Sequence, residues 1–243
     1  MYHPFSIAET TKSAWTIFKK NFVTIIVYST ISFTIISLLR FITEYLSPEE
    51  FTYTMALSFV AVFVQAYTTL GLYKLIFTVM DSEYYEFEFR QVLPAFKNIV
   101  SYLGVIFFIA FVITTFSIAM TKLDSYPYLQ QLIGEIAVIT ALYFALRIMF
   151  FITYIVDDKS GGFESLKQSF QLTKGYFFKV FVMLCIILLF IALPAGLSQY
   201  PGLGFFGIAI IFTYPFVNII LAVTYRKLVY SHQDVDDDIA ETN

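Results

Sequence analysis

Charge, cysteine and histidine are all scarce in this chain. Of its 243 residues, 14% are charged, one is cysteine and two are histidine. A soluble globular domain carries about 25% charged residues, so the polar coat such a domain needs is missing. The lone Cys185, inside the apolar run MLCIILLF, excludes a disulfide within the chain and reads as a small packing or lipid-facing residue. His3 and His232 lie near opposite ends, so no HExxH-like spacing forms and metal-assisted hydrolysis lacks a ligand set. Paired carboxylates at a plausible site and a phosphate-cradling glycine loop before a lysine are also missing. The many serines and tyrosines are weak nucleophiles without an adjacent base. The expectation is a protein without catalytic residues, metal or cofactor.

What the chain has in excess is apolar length. Hydrophobic residues make up 58% of it, gathered into six stretches near residues 22–41, 54–79, 99–118, 131–156, 177–198 and 203–224. A hydrocarbon core about 30 Å thick is crossed by roughly 20 helical residues, and each stretch is at least that long or close to it. Unpaired backbone has no partner in lipid, so the crossing segments are helices. The predicted fold is an all-α polytopic integral membrane protein with six transmembrane helices. Residues 1–243 form one membrane domain, with no room for a separate soluble domain of the usual size. The first 22 residues lack the basic start, short apolar core and cleavage site of a signal peptide, so the first span is retained.

Basic residues set the orientation. With the first segment inside, 13 of the 15 lysines and arginines fall on the inner side, leaving Arg40 and Lys122 outside. Both termini are therefore expected to be cytoplasmic. The net charge of -3 comes largely from the tail at 231–243, where Asp234, Asp236, Asp237, Asp238 and Glu241 cluster. Such an end reads as a solvated tail, and nucleic acid is not an expected partner.

An internal repeat is legible at the starts of the odd spans: AWTIFKKNF, VLPAFKNIV and SFQLTKGYF. Lys20, Lys97 and Lys174 recur at an interval of 77, as do Asn21, Asn98 and Gly175, and Asp81 and Asp158. The pattern predicts three helical hairpins, at about 6–81, 83–158 and 160–235. Each would begin with an amphipathic interfacial helix. In the first, Ile7, Ala8, Thr11, Ala14, Trp15 and Phe18 share a face, while Glu9, Lys12 and Lys19 lie mostly elsewhere. Lys20, Lys97, Lys174 and Trp15 are the candidate interfacial lipid contacts, and the run EYYEFEFRQ at 83–91 offers further interfacial rings. A purely anchoring role accounts for all of these side chains and is preferred to specific binding, since aromatic and lysine anchors occur in many membrane proteins that bind nothing there.

Polar groups inside the spans are the other candidates, because a charge at the bilayer centre costs roughly 2.5 kcal/mol or more unless it pairs, snorkels or faces a cavity. Gln65, Glu135, Arg147 and Asn218 form the candidate intramembrane polar set. Arg147 lies nine residues before Val156, or about 14 Å, and Glu135 is about 18 Å from Arg147, too far to pair. Lys74 can snorkel towards inner headgroups. Gln65 and Asn218 read as interhelical hydrogen-bonding groups, and Pro215 as a kink.

The passage YIVDDKSGGFESLKQSFQLTKGYFFKVFVMLCIILLF at 154–190 resembles the membrane domain family of glycerophosphoryl diester phosphodiesterases. The matching positions are Asp158, Ser165, Leu166, Lys167, Gln168, Ser169, Thr173, Lys174 and Gly175. The opening AWTIFKKNF and the closing YRKL at 225–228 are also similar. Gln168 stands where the family pattern has arginine, and Tyr176 where it has asparagine. The resemblance implies a lipid-associated protein of a bacterial cytoplasmic membrane, here without a phosphodiesterase domain. Capping and anchoring at a helix start are the simplest roles for Asp158, Ser169 and Lys174.

Three function classes follow. The first is a non-enzymatic lipid-associated or membrane-organising protein, whose partners are membrane lipids and either a protein partner or a second copy. The second is a small-solute or lipid transporter with a central cavity between the hairpins. The third is an intramembrane lipid-processing enzyme.

Overall fold

The computed structural model describes residues 6–46, 51–81, 92–200 and 204–241. The tyrosine-rich run at 83–91, together with His3, Arg90 and Pro201, lies outside them. Within the described residues the chain forms α1 (Ile7–Lys20), α2 (Phe22–Phe41), α3 (Phe51–Asp81), α4 (Phe96–Thr121), α5 (Pro127–Ile148), α6 (Phe151–Val156), α7 (Gly162–Leu172), α8 (Phe177–Leu197) and α9 (Ile210–Glu241), and no strand. Six segments are long and apolar enough to cross a membrane: Phe22–Tyr45, Thr52–Asp81, Phe96–Thr121, Pro127–Val156, Phe177–Leu197 and Phe206–Ser231. The protein is an all-α polytopic membrane protein. The fourth crossing is not one rod but α5 and α6, separated by a break at Met149–Phe150. The last continues without interruption to Glu241, so the acidic tail begins as helix.

Burial is concentrated at one end of the bundle. Leu70, Tyr73, Leu75 and Ile76 of α3, with Leu146, Phe150 and Ile155 around the break, and Ile219, Ile220, Ala222 and Leu228 of α9, are almost wholly enclosed. These are the later halves of the even spans. The opposite halves are splayed, and α5 exposes Leu132, Ile136, Val138, Ile139 and Leu142. So much exposed apolar surface needs lipid or a partner to cover it.

Length explains the uneven packing. α2 and α8, of 20 and 21 residues, match a 30 Å hydrocarbon core. The Thr52–Asp81 and Pro127–Val156 crossings have 30 residues each, an excess of about 15 Å. Two amphipathic helices pack against the even spans. α1 runs antiparallel to α9, with Glu9 near Lys227 at 3.9 Å and the Trp15 and Phe18 rings 5.6 and 5.5 Å from Phe216. Its buried stripe is Thr10, Ala14 and Phe18, a face rotated from the one expected, since Ala8 and Trp15 are exposed. The small Ala14 lets the backbones approach, so the apolar face is spent on α9 instead of on lipid headgroups. α7 returns in the same way along α6 and the end of α5.

Close approach recurs between α2 and α3. A Cβ on Gly71 would overlap the hydroxyl of Tyr28, which donates to the Thr68 carbonyl at 3.0 Å.

Candidate functional site

The three even spans are tied together where they end. Nη2 of Arg226 on α9 donates to Oδ2 of Asp81, the last residue of α3, at 3.0 Å, and to Oδ1 of Asp157, just past α6, at 2.8 Å. The guanidinium lies 5.1 Å over the Phe77 ring, and Tyr225 packs edge-on against Tyr154 at 4.9 Å. Asp157 is half-buried, and that burial pushes its carboxyl above the ordinary value, outweighing the opposite pull of Arg226. Asp158, the acid that keeps the repeat interval, is exposed; its neighbour Asp157 is the residue that pairs. The signal available was an acid ending two even spans and a base near the end of the third, in YRKL.

A second junction repairs the broken span. Ser169 of α7 is fully buried; its hydroxyl donates to the Arg147 carbonyl at 2.9 Å and accepts from the Phe150 N–H at 3.1 Å. One side chain thus pairs a backbone donor and a backbone acceptor at the break. Ser169 does cap a helix start, but that of α6, 19 residues before it in the chain. Gln168, the departure from the family pattern, accepts from the Ser160 hydroxyl at 2.7 Å and pins the loop between α6 and α7.

Arg147 itself is 7% exposed, with its guanidinium carbon 3.9 Å over the Phe170 ring. Its Nε is enclosed and has no hydrogen-bond partner. The other members of the intramembrane set lie apart. Glu135 is exposed and accepts from Gln131 on its own helix at 3.0 Å, Gln65 is exposed on α3, and Asn218 is buried and donates to the Tyr214 carbonyl at 2.7 Å. No hydrogen bond joins any two of the four. A polar cluster the sequence did not reveal sits instead among α3, α4 and α9, where Thr69, Tyr102, Tyr214 and Asn218 lie near one another.

Lys20, Lys97 and Lys174 are all exposed near the starts of odd spans, and Trp15 is 50% exposed beside Phe216. Their corners differ in build. Asn21 and Gly175 interrupt the helix, Gly175 at φ +90°, whereas Asn98 lies inside the first turn of α4. Lys74 does not reach for headgroups; its Nζ donates to the Leu93 carbonyl at 2.7 Å. Between α2, α3 and Val92 lies an apolar cavity of about 260 Å³ lined by Val23, Thr24, Val27, Tyr28, Ile31 and Leu75. Val23 and Val27 are mostly exposed, so this groove opens on the lateral surface. Among the described residues no group of three or more His, Cys, Asp or Glu side chains could hold a metal ion.

Fold and site together define a six-span helical membrane protein with a clamped, tightly packed end. No family model matches the chain, and no similar curated protein or solved structure is found.

Proposed function

We propose that this is a non-enzymatic, lipid-associated protein of the cytoplasmic membrane, which organises its surroundings by holding phospholipid on its lateral surface. Its clamped end and both termini face the cytoplasm. The observation that supports this most is the lateral apolar groove between α2 and α3, whose first lining residue, Val23, is three positions after the basic corner at Lys20. An acyl chain occupies the groove while lysine holds the phosphate, the arrangement that interfacial lysines and apolar helix faces favour. The three corners belong to three related hairpins. The likeness of 154–190 to the membrane domain family of glycerophosphoryl diester phosphodiesterases points the same way.

Native mass spectrometry of the gently extracted protein tests the proposal. The wild type is expected to retain phospholipid, and changing Lys20, Lys97 and Lys174 to Gln to lower the anionic share at least several-fold. An unchanged lipid profile in the triple variant rejects the corners as contacts, and a lipid-free wild type rejects the function.

One arrangement favours transport as the alternative: the even spans are clamped by Arg226 at one end and open at the other, with Thr69, Tyr102, Tyr214 and Asn218 between. On that reading Arg226→Gln alters solute flux in liposomes, and equal flux through both proteins removes the alternative.

A further inference from the structure

We infer that Arg147 binds the phosphate of an anionic phospholipid, a ligand that deepens the lipid-holding function proposed above and rests on it. Two facts about this arginine do not fit a purely structural residue. It is 7% exposed, and no described side chain or carbonyl accepts a hydrogen bond from its guanidinium. A guanidinium stays charged in proteins, and a buried charge without a counter-charge is strongly disfavoured.

Among the described residues, no acid pairs with Arg147. Asp81 and Asp157 serve Arg226, Glu135 is bonded to Gln131, and Glu9 lies beside Lys227. Glu164 belongs to the first turn of α7, about 9 Å along that helix from Phe170. The comparison with Arg226 is direct: of two arginines packed over phenylalanine rings, one has two carboxylates and the other has none among the described residues.

The site is held ready for an anion. Adjacent residues of α7 fix Arg147 from both sides, Ser169 through its carbonyl and Phe170 through its guanidinium. Lys174 follows Phe170 by one turn and is exposed, without a described partner. Next comes α8, whose first residue, Phe177, is 5.9 Å ring to ring from Tyr143, one turn before Arg147 on α5. A buried guanidinium with no carboxylate beside it among the described residues selects a ligand of net negative charge. The rim selects a lipid: Tyr143, Phe144 and Phe178 are exposed, and above them α5 presents an uncovered apolar face along which acyl chains can lie. Only Nε is sealed, so the terminal nitrogens keep what access remains.

The test uses the full chain in phosphatidylcholine nanodiscs with or without phosphatidylglycerol. Native mass spectrometry is expected to show phosphatidylglycerol retained by the wild type, about tenfold less by Arg147→Gln, and an intermediate amount by Arg147→Lys. Equal retention by folded Arg147→Gln overturns this inference alone, whereas a wild type that retains no phospholipid overturns the proposed function as well. A second measurement needs no variant. An arginine-specific dicarbonyl reagent should modify Arg147 in phosphatidylcholine, and phosphatidylglycerol should slow that reaction several-fold while inorganic phosphate at equal concentration does not. No protection by phosphatidylglycerol, or equal protection by inorganic phosphate, overturns the assignment to lipid.

Discussion

Ser169 shows how much can rest on one hydroxyl. Replacing it with alanine leaves the Phe150 N–H and the Arg147 carbonyl unpaired in a fully buried place. Each such group costs about 1–3 kcal/mol, so Ser169→Ala should lower stability by about 2–6 kcal/mol in an SDS-unfolding titration in mixed micelles. Arg226 is the complementary case, an interaction that depends on pH. The fold raises the Asp157 carboxyl above its ordinary 3.8 and so favours the protonated form. That contribution is complete below the ordinary value and is lost as pH rises through the raised one. Arg226→Gln removes the group that pulls the value down. The variant should match the wild type at low pH and fall behind it by about 1–3 kcal/mol at neutrality, which the same titration run across pH will show. A deficit independent of pH would mean that the ion pair is not its source. Both residues were present in short motifs of the sequence, yet their partners are 19 and 69 residues away or more, beyond the reach of local spacing.

Helix existence was legible because apolar run length and helical period are local quantities. The six stretches and the amphipathic segment ahead of the first span follow from them directly. Which way α1 would face was not legible. A stripe of Ile7, Ala14, Trp15 and Phe18 suits lipid headgroups as well as a neighbouring helix, and only the tertiary contact with α9 decides between them. Nor could period reveal the break at Met149–Phe150, since FALRIMFFITYI carries neither proline nor glycine and the interruption is stabilised by α7 from outside. The partnership of α1 with α9 gives a test at this scale. Phe216 touches the rings of Trp15, Phe18 and Phe190. Phe216→Ala should cost about 3–5 kcal/mol and loosen α1, read as faster backbone-amide exchange over residues 7–20 than in α4 of the same variant. Unchanged exchange in α1 would show that it is held by other contacts.

The candidate site was legible in its parts and not in its assembly. Arg147 stood out by depth and Lys174 by its repeat interval, but nothing in the sequence placed Phe170 beneath one and one turn ahead of the other. The remaining candidates, Gln65, Glu135 and Asn218, share polarity and little else, because similar depth along separate helices is not proximity. The contact of α1 with α9 also bears on how the molecule is made. α1 leaves the ribosome among the first segments and α9 among the last, so α1's apolar stripe waits for a partner through the synthesis of five intervening spans. Until α9 arrives, that stripe is covered by lipid or by the insertion machinery. Release of α1 from the bilayer surface thus waits on the insertion of α9, and its completion marks a chain in which these six spans are all in place.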